Sequence, residues 1–86
     1  MVTPSNHARE QARRRGLAET VVLAVAQAPE QRIAVRRGRE IRQSRIAVPA
    51  GGTLYLVRVV VDIDGPAETV VTAYCTSRIE KYWRRS

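Results

Sequence analysis

Apolar positions recur along this chain with two different periods, and the change of period falls at Gln31. Before it the spacing is helical. TPSNHAREQARRRG reads as a first helix, with Ser5 as the capping residue and Gly16 as the stop after Arg13, Arg14 and Arg15. Positive charge in the last turn suits the negative end of a helix dipole. LAETVVLAVAQAPE reads as a second helix. Leu17, Val21, Ala24, Val25 and Ala28 recur at helical spacing, and Pro29 ends the run. One Gly joins the two helices, which predicts a tight corner.

After Gln31 the period is two. QRIAVRR alternates Arg32, Ala34 and Arg36 against Ile33 and Val35, a half-buried strand with one cationic face. A turn at Gly38 leads into REIRQSRIAV. Ile41 and Ile46 are five apart, so their parity differs, and a bulge is expected between Gln43 and Arg45. PAGG reads as a loop. TLYLVRVVVDI is almost wholly apolar and β-branched, as a central strand covered on both faces should be. DGPAE turns the chain, TVVTAYC forms the fourth strand, and SRIEKYWRR is a short closing helix. Ser77 and Glu80 have capping-box spacing, and Ile79, Tyr82 and Trp83 make an apolar stripe.

Short turns between strands require antiparallel pairing, and a lone meander has too little to bury. The expected fold is therefore α+β. Two N-terminal helices pack on one face of a four-stranded antiparallel meander sheet, with a short C-terminal helix. Residues 1–86 form one domain with an ordered core at about 5–83, and Met1 to Pro4 and Arg84 to Ser86 are expected to fray.

Charge changes this picture most. Fifteen Lys and Arg face eight Asp and Glu, a formal net charge of +7, and fourteen of the fifteen cations are Arg. Residues 1–45 carry ten basic and four acidic side chains, so +6; residues 46–86 carry five and four, so +1. A concentrated positive half points to a polyanionic partner, either nucleic acid or an acidic protein, unless it is only a solvated basic face. One cysteine, Cys75, excludes an internal disulfide and a multi-Cys zinc site; in a strand it reads as a buried small hydrophobe. Asp62, Asp64 and Glu68 read as turn residues rather than metal ligands. No metal and no cofactor is expected. No apolar run is long enough to span a membrane, and MVTPSNHARE does not read as a signal peptide. A cytoplasmic location is the expectation.

The order of elements, with SNHAREQARRRGLAETVV at the start and VVTAYCTSRIEKYW at the end, resembles the bacterial domain of unknown function 4258. Through it the chain resembles the small RelE/ParE-like toxins of the barnase–EndoU–colicin–RelE superfamily. His7, Ala8, Arg15 and Gly16 fit the family's first-helix pattern, whereas Gln11 stands where the family tends to have Arg. Val71, Thr72 and Tyr74 fit its strand motif, and Arg78, Lys81 and Tyr82 its closing helix. The resemblance implies metal-independent RNA cleavage, often as the toxin half of a toxin–antitoxin pair. An acidic antitoxin would then cover the Arg-rich sheet face. The alternative is a non-catalytic module of the same fold that binds RNA or protein, including a ParE-like inhibitor of a protein target.

Metal-free cleavage needs a base for the 2′-hydroxyl, cations for the charged phosphorane and an acid for the leaving oxygen. His7, the only histidine, would lie in the first helical turn, whose dipole disfavours imidazolium and so favours a base. Arg32 and Arg45 are the candidate catalytic cations, with Arg36, Arg42 and Arg78 as nucleic-acid contacts. Alternation should put Arg32 and Arg36 on one face of their strand. Thr72 and Tyr74, two apart, share a strand face and offer a hydroxyl donor and an acid or stacking ring. Each residue also has a plain structural reading: an incidental histidine, solvated arginines, and favoured strand residues. Tyr82 and Trp83 read first as packing.

Overall fold

The structure, a computed structural model, describes residues 2–47 and 52–85. Its elements run β1 (Val2–Pro4), α1 (Asn6–Arg14), α2 (Glu19–Gln27), β2 (Gln31–Arg36), β3 (Arg39–Ala47), β4 (Leu54–Asp62), β5 (Glu68–Thr76) and α3 (Ile79–Tyr82). The expected PAGG loop lies largely outside the described residues.

Both N-terminal helices form for the expected reasons. The Ser5 hydroxyl accepts the Ala8 amide at 3.0 Å and caps α1. At the other end Gly16 takes φ 70°, and the Leu17 amide turns back to the Ala12 carbonyl at 2.8 Å. A side chain at position 16 would be strained by that φ alone, since nothing lies within 4 Å of it.

The sheet has five strands in the order β1-β5-β4-β3-β2. The four strands β2 to β5 form the expected antiparallel meander. The fifth is a correction: Val2–Pro4 pairs parallel with Glu68–Val70 instead of fraying, so the sheet is mixed. Alternating Val2-Thr3-Pro4 is too short to announce a strand, and only the exposed edge of β5 gives it a partner. The Ser5 amide continues the ladder to the Val70 carbonyl at 3.0 Å, which also fixes where α1 starts.

One sheet face meets α1 and α2. Ala8 and Ala12 of α1 and Val22, Val25 and Ala26 of α2 pack on Val57, Val59, Val61, Val70 and Ala73. Small residues on α1 let it lie close to the sheet, and each fully buried valine contributes roughly 1.5–3 kcal/mol. β4 is the central strand, as its composition predicts, and its other face buries Leu56 and Arg58.

The bulge expected in β3 is absent. Arg39 to Ala47 pair without a break against Asp62 to Leu54. Ile46 packs against the helix-side core, whereas Ile41 lies half-buried on the other face. The register break falls in β2 instead, between Ala34 and Arg36, and leaves Val35 unpaired and 52% exposed. A second shift lies between Val60 and Val61 of β4, opposite Val71. The capping box at Ser77 is also not formed. Arg78 precedes α3, no side chain caps it, and Thr76 Oγ1 accepts the Arg78 amide at 3.1 Å. Cys75 is exposed rather than buried, because it sits on the helix-side face beyond the cover of α2.

Candidate nucleic-acid interface

The residues singled out by sequence do not share one hollow, and the registers give the reason. Arg42 and Arg45 are three apart in an unbroken strand, so they point to opposite faces. The β2 bulge does the same to Arg32 and Arg36. Arg32 lies opposite Arg42, on the helix side, while Arg36 lies opposite Arg39 on the other side. His7 is exposed in the first turn of α1, so it belongs to the helical layer. Thr72 and Tyr74 share a face as expected, opposite Val60 and Arg58, and that face is the one away from α1 and α2. Sequence parity could not resolve this, because one unpaired residue reverses every side chain beyond it.

On the helix side the cations are occupied. Arg42 is 1% exposed. It donates to the Ala26 carbonyl at 2.7 Å, to Glu40 at 2.6 Å and to both oxygens of Glu68 at 3.0 and 2.7 Å. Those bonds hold the Glu68 carboxyl below the usual carboxylate range and raise Arg42 above the usual arginine value. Arg32 completes the cluster through Glu40 at 3.5 Å. Arg42 is therefore a structural ion pair and not an exposed phosphate contact, and Glu68 is its anchor rather than a turn residue. Arg15 reaches the Ala73 carbonyl at 2.7 Å and the Thr72 hydroxyl at 3.5 Å.

The opposite face holds a different assembly. The Arg45 guanidinium lies 4.2 Å from the Trp83 ring centroid, and Glu30 holds it at 2.8 Å. Its hydrogen bonds to Glu30 keep that carboxyl below its usual range. One strand over, Arg58 lies 4.3 Å from the Tyr82 ring and donates to the Tyr74 hydroxyl at 2.6 Å. Its Nε donates to Gln43 Oε1 at 2.9 Å. Gln43 is fully buried, and its Nε2 donates to Gln31 Oε1 at 2.7 Å and the Tyr82 carbonyl at 3.2 Å. Gln31 in turn clasps the backbone of Arg84, donating to its carbonyl at 2.6 Å and accepting its amide at 3.1 Å. Two glutamines thus tie the closing segment across the sheet and orient the arginine beneath it.

This segment carries cations. Arg78, Lys81, Arg84 and Arg85 have no carboxylate within 4.0 Å among the described residues. Arg45, Leu54, Ser77, Arg78, Ile79, Glu80 and Lys81 line a shallow groove of about 620 Å³ beside α3. At the far end of the sheet, Arg36, Arg37 and Arg39 crowd the hairpin tip, where Asp62 accepts from Arg39 at 2.7 Å.

Arg58 is the site residue that sequence reasoning missed. Its signal was a single charge inside the apolar run TLYLVRVVVDI, a place where charge has to be matched by something. Tyr82 and Trp83 are half-buried packing residues that double as platforms for guanidinium groups. Compared with family models, curated proteins and solved structures, the chain matches none. Among the described residues no cluster of His, Cys, Asp or Glu could hold a metal ion, and no helix is long and apolar enough to cross a membrane.

Proposed function

We propose that this chain binds single-stranded RNA on the sheet face opposite α1 and α2. The observation that carries the reading is the alternation of cations and rings there: Arg45 on Trp83, and Arg58 between Tyr82 and Tyr74. Single strands are held by basic grooves that follow the backbone and by aromatic rings on which bases stack. Arg78, Lys81, Arg84 and Arg85 supply cations beside those rings. These cations come mostly from residues 46–86, so the face is made basic by position in the fold rather than by the charge excess of residues 1–45.

The test is titration of a labelled single-stranded RNA at several salt concentrations, with EDTA present. Affinity should fall steeply with salt, because phosphate neutralisation releases counterions. Trp83→Ala should weaken binding about tenfold, the order expected when one stacked base is lost. Binding that ignores both salt and the charge reversal of Arg78 and Arg84 would sink this reading. It would leave the acidic-protein partner as the better account of the charge.

A second reading is the metal-independent ribonuclease of a toxin–antitoxin pair, which the resemblance to the RelE/ParE-like family suggests. One observation favours it: the Tyr74 hydroxyl, 2.6 Å from Arg58 Nη1, would stand beside a bound phosphate as proton donor. In this form of the proposal Arg58 replaces Arg32 beside Arg45, Tyr74 keeps the acid role, and the 2′-hydroxyl proton passes to solvent water, since His7 lies in the helical layer. Shortening of the RNA in EDTA, lost in Tyr74→Phe, supports cleavage; intact RNA after prolonged incubation rules it out. Induced expression with a growth curve tests the toxin role directly.

A further inference from the structure

Two arginines of this small sheet are more than nine-tenths buried, and their surroundings differ in kind. Arg42 is 1% exposed and meets the carboxylates of Glu40 and Glu68. Arg58 is 7% exposed and meets none within 4.0 Å among the described residues. Its partners are an amide oxygen, a phenol oxygen and the face of a ring. Such dipoles orient a guanidinium but do not neutralise it, and a buried charge without a counter-charge is costly.

The arrangement also leaves donors spare. Nε and Nη1 of Arg58 each have a protein acceptor, and Nη2 has none among the described residues. No sealed side-chain nitrogen or oxygen there lacks a partner, so Nη2 keeps some contact with solvent. Gln43 cannot turn away to relieve the charge, since Gln31 and the Tyr82 carbonyl both hold its amide nitrogen. A guanidinium fixed in this way, with Nη2 hydrogens not taken up by the described residues, is set to donate to an anion.

From this we infer that Arg58 is a receptor for one phosphate group of the bound strand, with Tyr74 as a second donor to the same group. The inference rests on the RNA-binding reading and adds to it a fixed point of register. Flanking phosphates slide over mobile surface cations, whereas this one is seated. The contact is non-covalent and needs neither metal nor co-reactant.

The experiment follows the arginine Nε–Hε signals of the ¹⁵N-labelled full chain by NMR. A short oligouridylate and inorganic phosphate are added in separate titrations. With the oligonucleotide, the Arg58 signal should move saturably while the Arg42 signal stays fixed. Arg58→Lys keeps the charge but loses the fork, and should weaken oligonucleotide binding about tenfold. Movement of the Arg45 and Trp83 signals with Arg58 unmoved overturns this inference and leaves the RNA-binding face intact. No movement of any of the three overturns both. A response to inorganic phosphate alone overturns the assignment to a strand. Should Arg58→Lys fail to fold, the wild-type titration decides.

Discussion

Arg42 and Arg58 lie on neighbouring strands and opposite faces of one sheet, and among the described residues only Arg42 is answered by carboxylates. The first holds the sheet to α2; the second is held in place by Gln43 of β3, which is itself bonded to Tyr82 of α3. On the proposed reading, the difference separates what keeps the molecule folded from what it offers to a ligand.

Loss of the Arg42 anchor should cost stability and not binding. Glu68→Gln removes one of two carboxylates from a buried guanidinium. Breaking a fully buried pair costs about 3–5 kcal/mol. Glu68 is 38% exposed and Glu40 remains, so about 2 kcal/mol is the expected loss. Urea denaturation measures it, and RNA affinity below the transition should be unchanged.

Acid should unfold the protein through the same residues. Glu68, Glu30 and Asp62 have carboxyls held below their usual values by Arg42, Arg45 and Arg39 respectively. A lowered folded value means the unfolded chain binds more protons across that window, so stability falls as pH falls. Their contribution is complete above the ordinary values of 4.5, 4.5 and 3.8 and is lost as pH drops through the lowered ones. Melting temperature recorded between neutral and strongly acid pH should be flat, then decline. Glu68→Gln should make that decline shallower; an identical slope would show the ion pair is not its source.

The hairpin tip is tightly specified. Gly38 has φ 80°, and a Cβ there would sit 2.8 Å from Asp64 Cβ. Gly38→Ala combines left-handed strain with a clash, at a cost of about 1–2 kcal/mol or more. A thermal midpoint lower by about 5–10 °C is expected for a domain of this size.

The closing segment should loosen without its glutamine clasp. Gln31→Ala removes two hydrogen bonds to Arg84 and one to Gln43. Hydrogen exchange at residues 82–84 should quicken while amides of β4 keep their protection. Uniform quickening along the chain would mean a global loss of stability instead.

Most of the architecture was legible in the sequence because it rests on period and punctuation. The switch at Gln31, Gly16, Pro29, Gly38 and the β-branched run at Val57 to Val61 mark elements by local chemistry. β1 was not legible, since Val2 to Pro4 become a strand only through the free edge of β5. The site was less legible for a related reason. Face assignments for Arg32, Arg36, Arg42 and Arg45 depend on whether a bulge lies in β2 or β3, and nothing local distinguishes the two. Tyr74 and Thr72 were placed on a common face because no bulge separates them. Arg58 was hidden by its neighbours: a lone cation in an apolar strand has meaning only once the absence of a nearby acid is seen.

Val35, pushed out of the ladder, has one more effect. An outermost strand is an invitation for identical molecules to stack edge to edge. Here the outer strand β2 is six residues long, kinked near its end, ends in Arg36 and is followed by Arg37. Two such borders brought together would set their misaligned amides and like charges against each other. The irregularity that scrambles the arginine faces thereby also discourages the protein from growing into fibres.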